Sequence, residues 1–174
     1  TVSGTFPCLN DQAIVTISIT PGPDAGLPGT AAFCVNSAPA DLFLSLNGTP
    51  QTGGTWSPPL ASGNGIFNPA VDVAGIYTYT FEGTQPCDDD TATVTVTINP
   101  IPDAGENGVA PQLCSNFPPV DLFTFLNGTP QTGGVWTPTL PSGSGIFNPA
   151  VDAAGIYTYT VNGTFPCSND QAIV

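Results

Sequence analysis

The sequence predicts an all-β chain, and three observations carry that prediction. Short runs rich in Thr, Val, Ile, Tyr and Phe alternate residue by residue, and 20 glycines and 20 prolines are spread between them. One long block of sequence occurs twice, at an offset of about 80 residues. Hydrophobic residues make up 40% of the 174 and charged residues only 7%, so a core can form although every formal charge is negative.

In chain order, the first element is the remnant of a hairpin. Thr1 to Val15 reads TVSGTFPCLNDQAIV and Thr160 to Val174 reads TVNGTFPCSNDQAIV, so the chain finishes in the sequence with which it began. Thr16 to Ile19 extends the first copy as a strand with Val15, Ile17 and Ile19 on one face. The proline-bearing segments Thr20-Pro-Gly-Pro23 and Asn99-Pro-Ile-Pro102 read as stiff linkers.

Asp41 to Asn47 is open between strand and helix. The residues kept in both copies are Leu42, Phe43 and Leu46 against Leu122, Phe123 and Leu126, spaced as one helical turn requires. A short helical turn is therefore expected, with Asp41 as its cap and Gly48 at its end. Gly54 to Ser57 is expected as an early central strand, its Trp56 buried between sheets like Trp136 in the second copy. A Ser-Gly-x-Gly turn follows at Ser62 and again at Ser142.

Ile76 to Phe81 and Thr91 to Ile98 alternate strictly and form the closing hairpin. Tyr77, Tyr79 and Phe81 share one face of the first strand, and Ala92, Val94, Val96 and Ile98 share one face of the second. Repeats this long are whole domains rather than solenoid turns. The expected architecture is tandem immunoglobulin-like β-sandwich repeats, stapled by disulfides. Residues 1–20 would be the last two strands of a preceding repeat, 21–99 a complete repeat, and 100–174 a repeat lacking most of its final strand. The chain thus reads as one period of a longer array.

The composition removes most chemistry. The 13 acidic residues stand against no lysine, arginine or histidine, for a net charge of -13 and an isoelectric point near 4.1. Without histidine there is no ordinary general base near neutral pH, no triad and no imidazole metal site. Without basic residues, nucleic acid and anionic membranes are poor partners. No catalytic residue, cofactor or metal is expected, and no apolar stretch reaches the roughly 18 residues of a membrane helix.

The succession Pro-Asp-Ala-Gly, Cys, Asp-Leu-Phe, Gly-Gly-x-Trp, Gly-Ile-Phe-Asn-Pro, Ala-Gly-Ile-Tyr-Thr-Tyr-Thr, Pro-Cys and alternating Thr/Val covers essentially the whole chain, twice over. It resembles the Ig-like and PKD-like repeats of very large surface proteins of Bacteroidetes. That resemblance implies export by the type IX secretion system and a place in an adhesin, a gliding-associated filament or a cell-surface fibre. It also implies that Thr91, in Asp90-Thr91-Ala92, lies in an O-glycosylation pattern. Asn47-Gly-Thr49, Asn127-Gly-Thr129 and Asn162-Gly-Thr164 fit the N-glycosylation sequon, which carries little weight in a bacterial protein.

Five cysteines stand at 8, 34, 87, 114 and 167. Cys34 to Cys87 and Cys114 to Cys167 close loops of equal length within each repeat, which leads to the pairing 34 with 87 and 114 with 167 and leaves Cys8 to a cysteine outside the window. A bond between neighbouring repeats is the alternative. Either implies an oxidising, extracellular or cell-surface location. Asp88, Asp89 and Asp90, with Asp24 and Asp103, could hold calcium at domain junctions. The runs matching Asp88–Asp90 keep only one carboxylate, so solvated turn residues are the reading adopted.

The expected function is a structural repeat of a fibre, stalk or adhesin filament whose partners are neighbouring repeats of the same fibre. The alternative is a carbohydrate- or protein-binding module using loops that carry Trp56, Phe67 or Tyr79. Exposed aromatics would favour that alternative and buried ones remove it.

Overall fold

The structure, a computed structural model, describes residues 1–8, 11–143 and 145–174. It is β-rich, with two single 3-10 turns as its only helical elements among the described residues. Eleven strands occur, some only two residues long: β1 (Gly29–Cys34), β2 (Ala40–Asp41), β3 (Thr55–Ser57), β4 (Ile66–Phe67), β5 (Gly75–Phe81), β6 (Asp90–Asn99), β7 (Val120–Asp121), β8 (Val135–Thr137), β9 (Ile146–Phe147), β10 (Thr158–Val161) and β11 (Asp170–Ile173).

In the first half the strand order is β1-β6-β5-β3, with β2 and β4 forming a separate antiparallel pair. β5 and β6 are the expected antiparallel hairpin, Tyr79 opposite Ala92. β1 adds to the far side of β6 in parallel, from Gly29 opposite Val94 to Cys34 opposite Asn99. The strict alternation in β6 buries Ala92, Val94 and Val96 and turns the threonines outward. These residues pack with Leu42, Leu46, Leu60, Phe67, Tyr77 and Tyr79 into one core. Phe67 is fully buried, stacked on Phe33 of β1 at 5.0 Å and edge-on to Tyr77.

The second half reproduces these registers. Trp136 lies opposite Tyr159 as Trp56 lies opposite Tyr79, and Tyr159 opposite Ala172 as Tyr79 opposite Ala92. Its larger sheet has the order β11-β10-β8 and no counterpart of β1. Its core gathers Leu122, Leu126, Trp136, Leu140, Tyr157, Tyr159, Val161 and Ala172.

The segment after Asp41 is a 3-10 turn, Leu42–Ser45, and Asp41 caps it by accepting from the Phe43 amide at 3.0 Å. It ends at Leu46, two residues before Gly48. β3 is an edge strand rather than a central one, because only β5 pairs with it. Trp136 is buried, whereas Trp56 is only half-buried at the equivalent edge. Of the second Ser-Gly-x-Gly turn, Ser144 lies outside the described residues.

Candidate functional site

The two motifs that recur most faithfully in sequence meet at the start of each half and fasten the linker to it. Asp24 accepts from the Gly26 amide at 2.8 Å and from the Thr49 hydroxyl at 3.1 Å, while its own amide donates to the Gln51 side chain at 2.8 Å. The Gln51 amide returns a bond to the Asp24 carbonyl at 2.8 Å. The Asn47 side chain donates to the Pro28 carbonyl, so this sequon asparagine already serves the loop. Asp90, at the start of β6, takes the amide of the fully buried Ala25 at 2.8 Å. Asp103, Gln131, Asn127 and Asp170 make the same clamp in the second half. The linker carboxylates therefore hold backbone N–H groups.

The hairpin loops bring a second set together. Cys34, at the end of β1, forms a disulfide with Cys167, with Cα atoms 5.0 Å apart. The expected pairs, Cys34 with Cys87 and Cys114 with Cys167, are not formed: Cys87 and Cys114 are free thiols, as is Cys8. The reason lies in the length of β6. Cys34 pairs in register with Asn99 at one end of that strand, whereas Cys87 precedes Asp90 at the other. At about 3.3 Å per residue those ends lie some 30 Å apart, far beyond the reach of one disulfide. The linker after Asn99 instead delivers the hairpin loop of the second half onto the end of β1. The Asn99 side chain donates to the Phe165 carbonyl at 2.7 Å, and the Cys167 sulfur lies 3.5 Å from the Asn99 carbonyl. A cleft of about 230 Å³ remains between Ser37, Ile101, Pro102 and Pro166.

No known protein family, curated protein or solved structure matches this chain.

A third feature lies on the far side of the second half. In the first half β1 covers one flank of the core. In the second, Gly108 begins the same pairing, its amide donating to the Ile173 carbonyl at 2.8 Å, but no strand is formed along 109–114. A groove of about 720 Å³ opens there between Leu113 and Cys114 on one wall and Leu122, Phe147, Tyr157 and Val174 on the other. Phe147 is accordingly part-exposed where Phe67 is fully buried. Thr16 to Thr20, expected as a strand, belongs to no sheet, and Ile17 and Ile19 are 84% and 90% exposed.

The remaining candidates sort by exposure. Thr91 points outward on β6 and is accessible. Phe67 and Tyr79 are buried, which removes them as carbohydrate platforms; Trp56 alone lines a shallow cleft of about 530 Å³ beside Phe43 and Asn64. Among the described residues no cluster of three acidic or cysteine ligands has metal-binding geometry.

Sequence reasoning missed Asp72 and Asp152. Each is buried and gathers the loop before it: Asp72 accepts from the amides of Ala61 at 2.5 Å and Asn68 at 2.8 Å and from the Ser62 hydroxyl at 3.2 Å. Burial alone would raise its pKa, but these bonds to the charged form outweigh it and the pKa falls below 3.8. Tyr77 beside it is raised, by burial and by the Asp72 charge. The signal was present in the doubled Asn-Pro-Ala-Val-Asp motif, which was read only as part of a turn.

Proposed function

We propose that the chain is a structural segment of an extracellular fibre, stalk or adhesin filament, assembled from tandem immunoglobulin-like β-sandwiches like those it resembles in Bacteroidetes surface proteins. The units are residues 21–99 and 100–174, with residues 1–20 continuing the preceding one, and the partners are neighbouring units. The supporting observation is the Cys34–Cys167 bond, which runs from the end of a strand in one half to a loop of the next. A self-contained binding module gains most from a staple within its own fold, where it restricts the unfolded chain. A bond across the junction restrains the angle between consecutive units, which suits a chain that bears load along its length.

The disulfide also places the protein in an oxidising compartment, and the absence of basic residues leaves trypsin-like proteases nowhere to cut. Imaging the native assembly at the resolution of single units tests the proposal. Beads of about 80 residues in fixed orientation along a filament are expected; isolated particles that bind a defined oligosaccharide through the Trp56 cleft would replace it with the binding-module reading.

A further inference from the structure

We propose that the groove beside Val174 is the acceptor for residues Thr16–Thr20 of a second copy of this chain, and that the joint is locked by a disulfide between Cys114 of the acceptor and Cys87 of the donor. The inference rests on the fibre reading and names the partner of its open edge.

Three observations carry it. The match of residues 1–15 to 160–174 places Thr16 where the residue after Val174 would lie, in the same register. Carried through the repeat, Ile17 and Ile19 correspond to Val96 and Ile98, which in the first half fill the core beside β1. Both isoleucines are exposed in the free segment, and the groove offers them Leu113, Phe147 and Tyr157. An added strand of alternating apolar residues pairs its backbone with the edge and sets its side chains into the groove.

The second observation is chemical. At the formed junction the Cys167 sulfur lies 3.5 Å from the carbonyl of Asn99, the residue opposite Cys34. At the free end the Cys87 sulfur lies 3.7 Å from the carbonyl of Thr20, the counterpart of Asn99. Donor strand and donor thiol are thus already arranged as at the finished joint.

Third, seating Thr20 in the groove sets it opposite Cys114, the counterpart of Cys34, and so brings Cys114 to Cys87. Cys114 is exposed and Cys87 part-exposed, both as free thiols. Residues 1–15 duplicate a hairpin the acceptor already has, and only the strand after it enters.

Bond formation requires an oxidant, here a small-molecule disulfide. The Cys87 thiolate attacks it and releases one small thiol; the Cys114 thiolate then attacks the Cys87 sulfur of the mixed disulfide and releases the second. The two cysteine protons end on the two released thiols.

The test uses the full chain carrying Cys8→Ser, incubated in an oxidised/reduced glutathione buffer and read by non-reducing electrophoresis and peptide mass spectrometry. A ladder of oligomers linked Cys87 to Cys114 is expected, with linkage between molecules shown by mixing 14N- and 15N-labelled chains. Adding Cys87→Ser to one pool and Cys114→Ser to another should leave each monomeric, and mixing the pools should give one covalent dimer and nothing larger. Ile17→Asp with Ile19→Asp should abolish the ladder while Cys34–Cys167 still forms. Monomers with free Cys87 and Cys114, a 87–114 bond within one molecule, dimers from either pool alone, or a ladder indifferent to the isoleucine changes would each overturn the proposal. Monomers that keep Cys34–Cys167 would leave the fibre reading standing, whereas failure of that bond would count against the fibre reading itself.

Discussion

Tyr79 and Tyr159 show how much of each half hangs on one hydroxyl. The Tyr79 hydroxyl donates to the Gln51 carbonyl and accepts from the Gly54 amide, both at 2.7 Å, and Tyr159 does the same with Gln131 and Gly134. The double glycine of the Gln-Thr-Gly-Gly motif follows from this approach, since a Cβ on Gly54 would lie 2.3 Å from the Thr80 carbonyl and 2.7 Å from the tyrosine ring. Tyr79→Phe strands two buried backbone groups and should cost about 1–3 kcal/mol in urea unfolding. Asp72 sets the acid limit. Its folded pKa is depressed, so its contribution is fully present above 3.8 and is lost as pH falls through the lower folded value. Urea midpoints measured from pH 6 downward should fall below about pH 4, and Asp72→Asn should start lower and flatten that part of the curve.

Among the elements, β6 is the ruler of the molecule. Its ten residues carry a linker clamp at Asp90 and the junction at Asn99, and they keep the two cysteines of the first half at opposite ends. A staple closing a loop within one half would contribute about 2–4 kcal/mol to that half. The observed staple joins the halves, so Cys34→Ala with Cys167→Ala should leave the slowest-exchanging amides of β5 and β6 within about 0.5 kcal/mol of the parent. The same pair of changes should loosen the relative tumbling of the halves, read by NMR relaxation. Loss of protection throughout β5 and β6 would mean that the bond stabilises the first half itself. Asp90→Ala frees the Ala25 amide and should cost about 1–3 kcal/mol by the same urea assay.

At the scale of the whole molecule, charge governs association. Each copy carries a formal charge of -13 with nothing positive to offset it, so two copies approaching head to tail repel one another. Raising the salt screens that repulsion over a Debye length of about 8–10 Å. Oligomer formation should therefore speed up between low salt and about 0.15 M, the reverse of an interface held by ion pairs. Slower assembly with salt would point to an electrostatic contact that the sequence does not contain.

The alternation of Thr91 to Ile98, the 41–47 turn with its Asp41 cap and the closing hairpin were legible because local patterning decides them: which face is apolar, which residue can cap, where a glycine must sit. The partner of each cysteine was not, because equal spacing within repeats is satisfied as well by a bond between successive units as by a bond within one. Only the direction of β6 and the path of the Asn99 linker distinguish the two. The buried acceptors Asp72 and Asp152 escaped for a similar reason, since a carboxylate in a turn reads as solvated until the amides around it are placed. Nor does sequence show that β1 runs parallel to β6, and that pairing is what gives the second half an edge to fill.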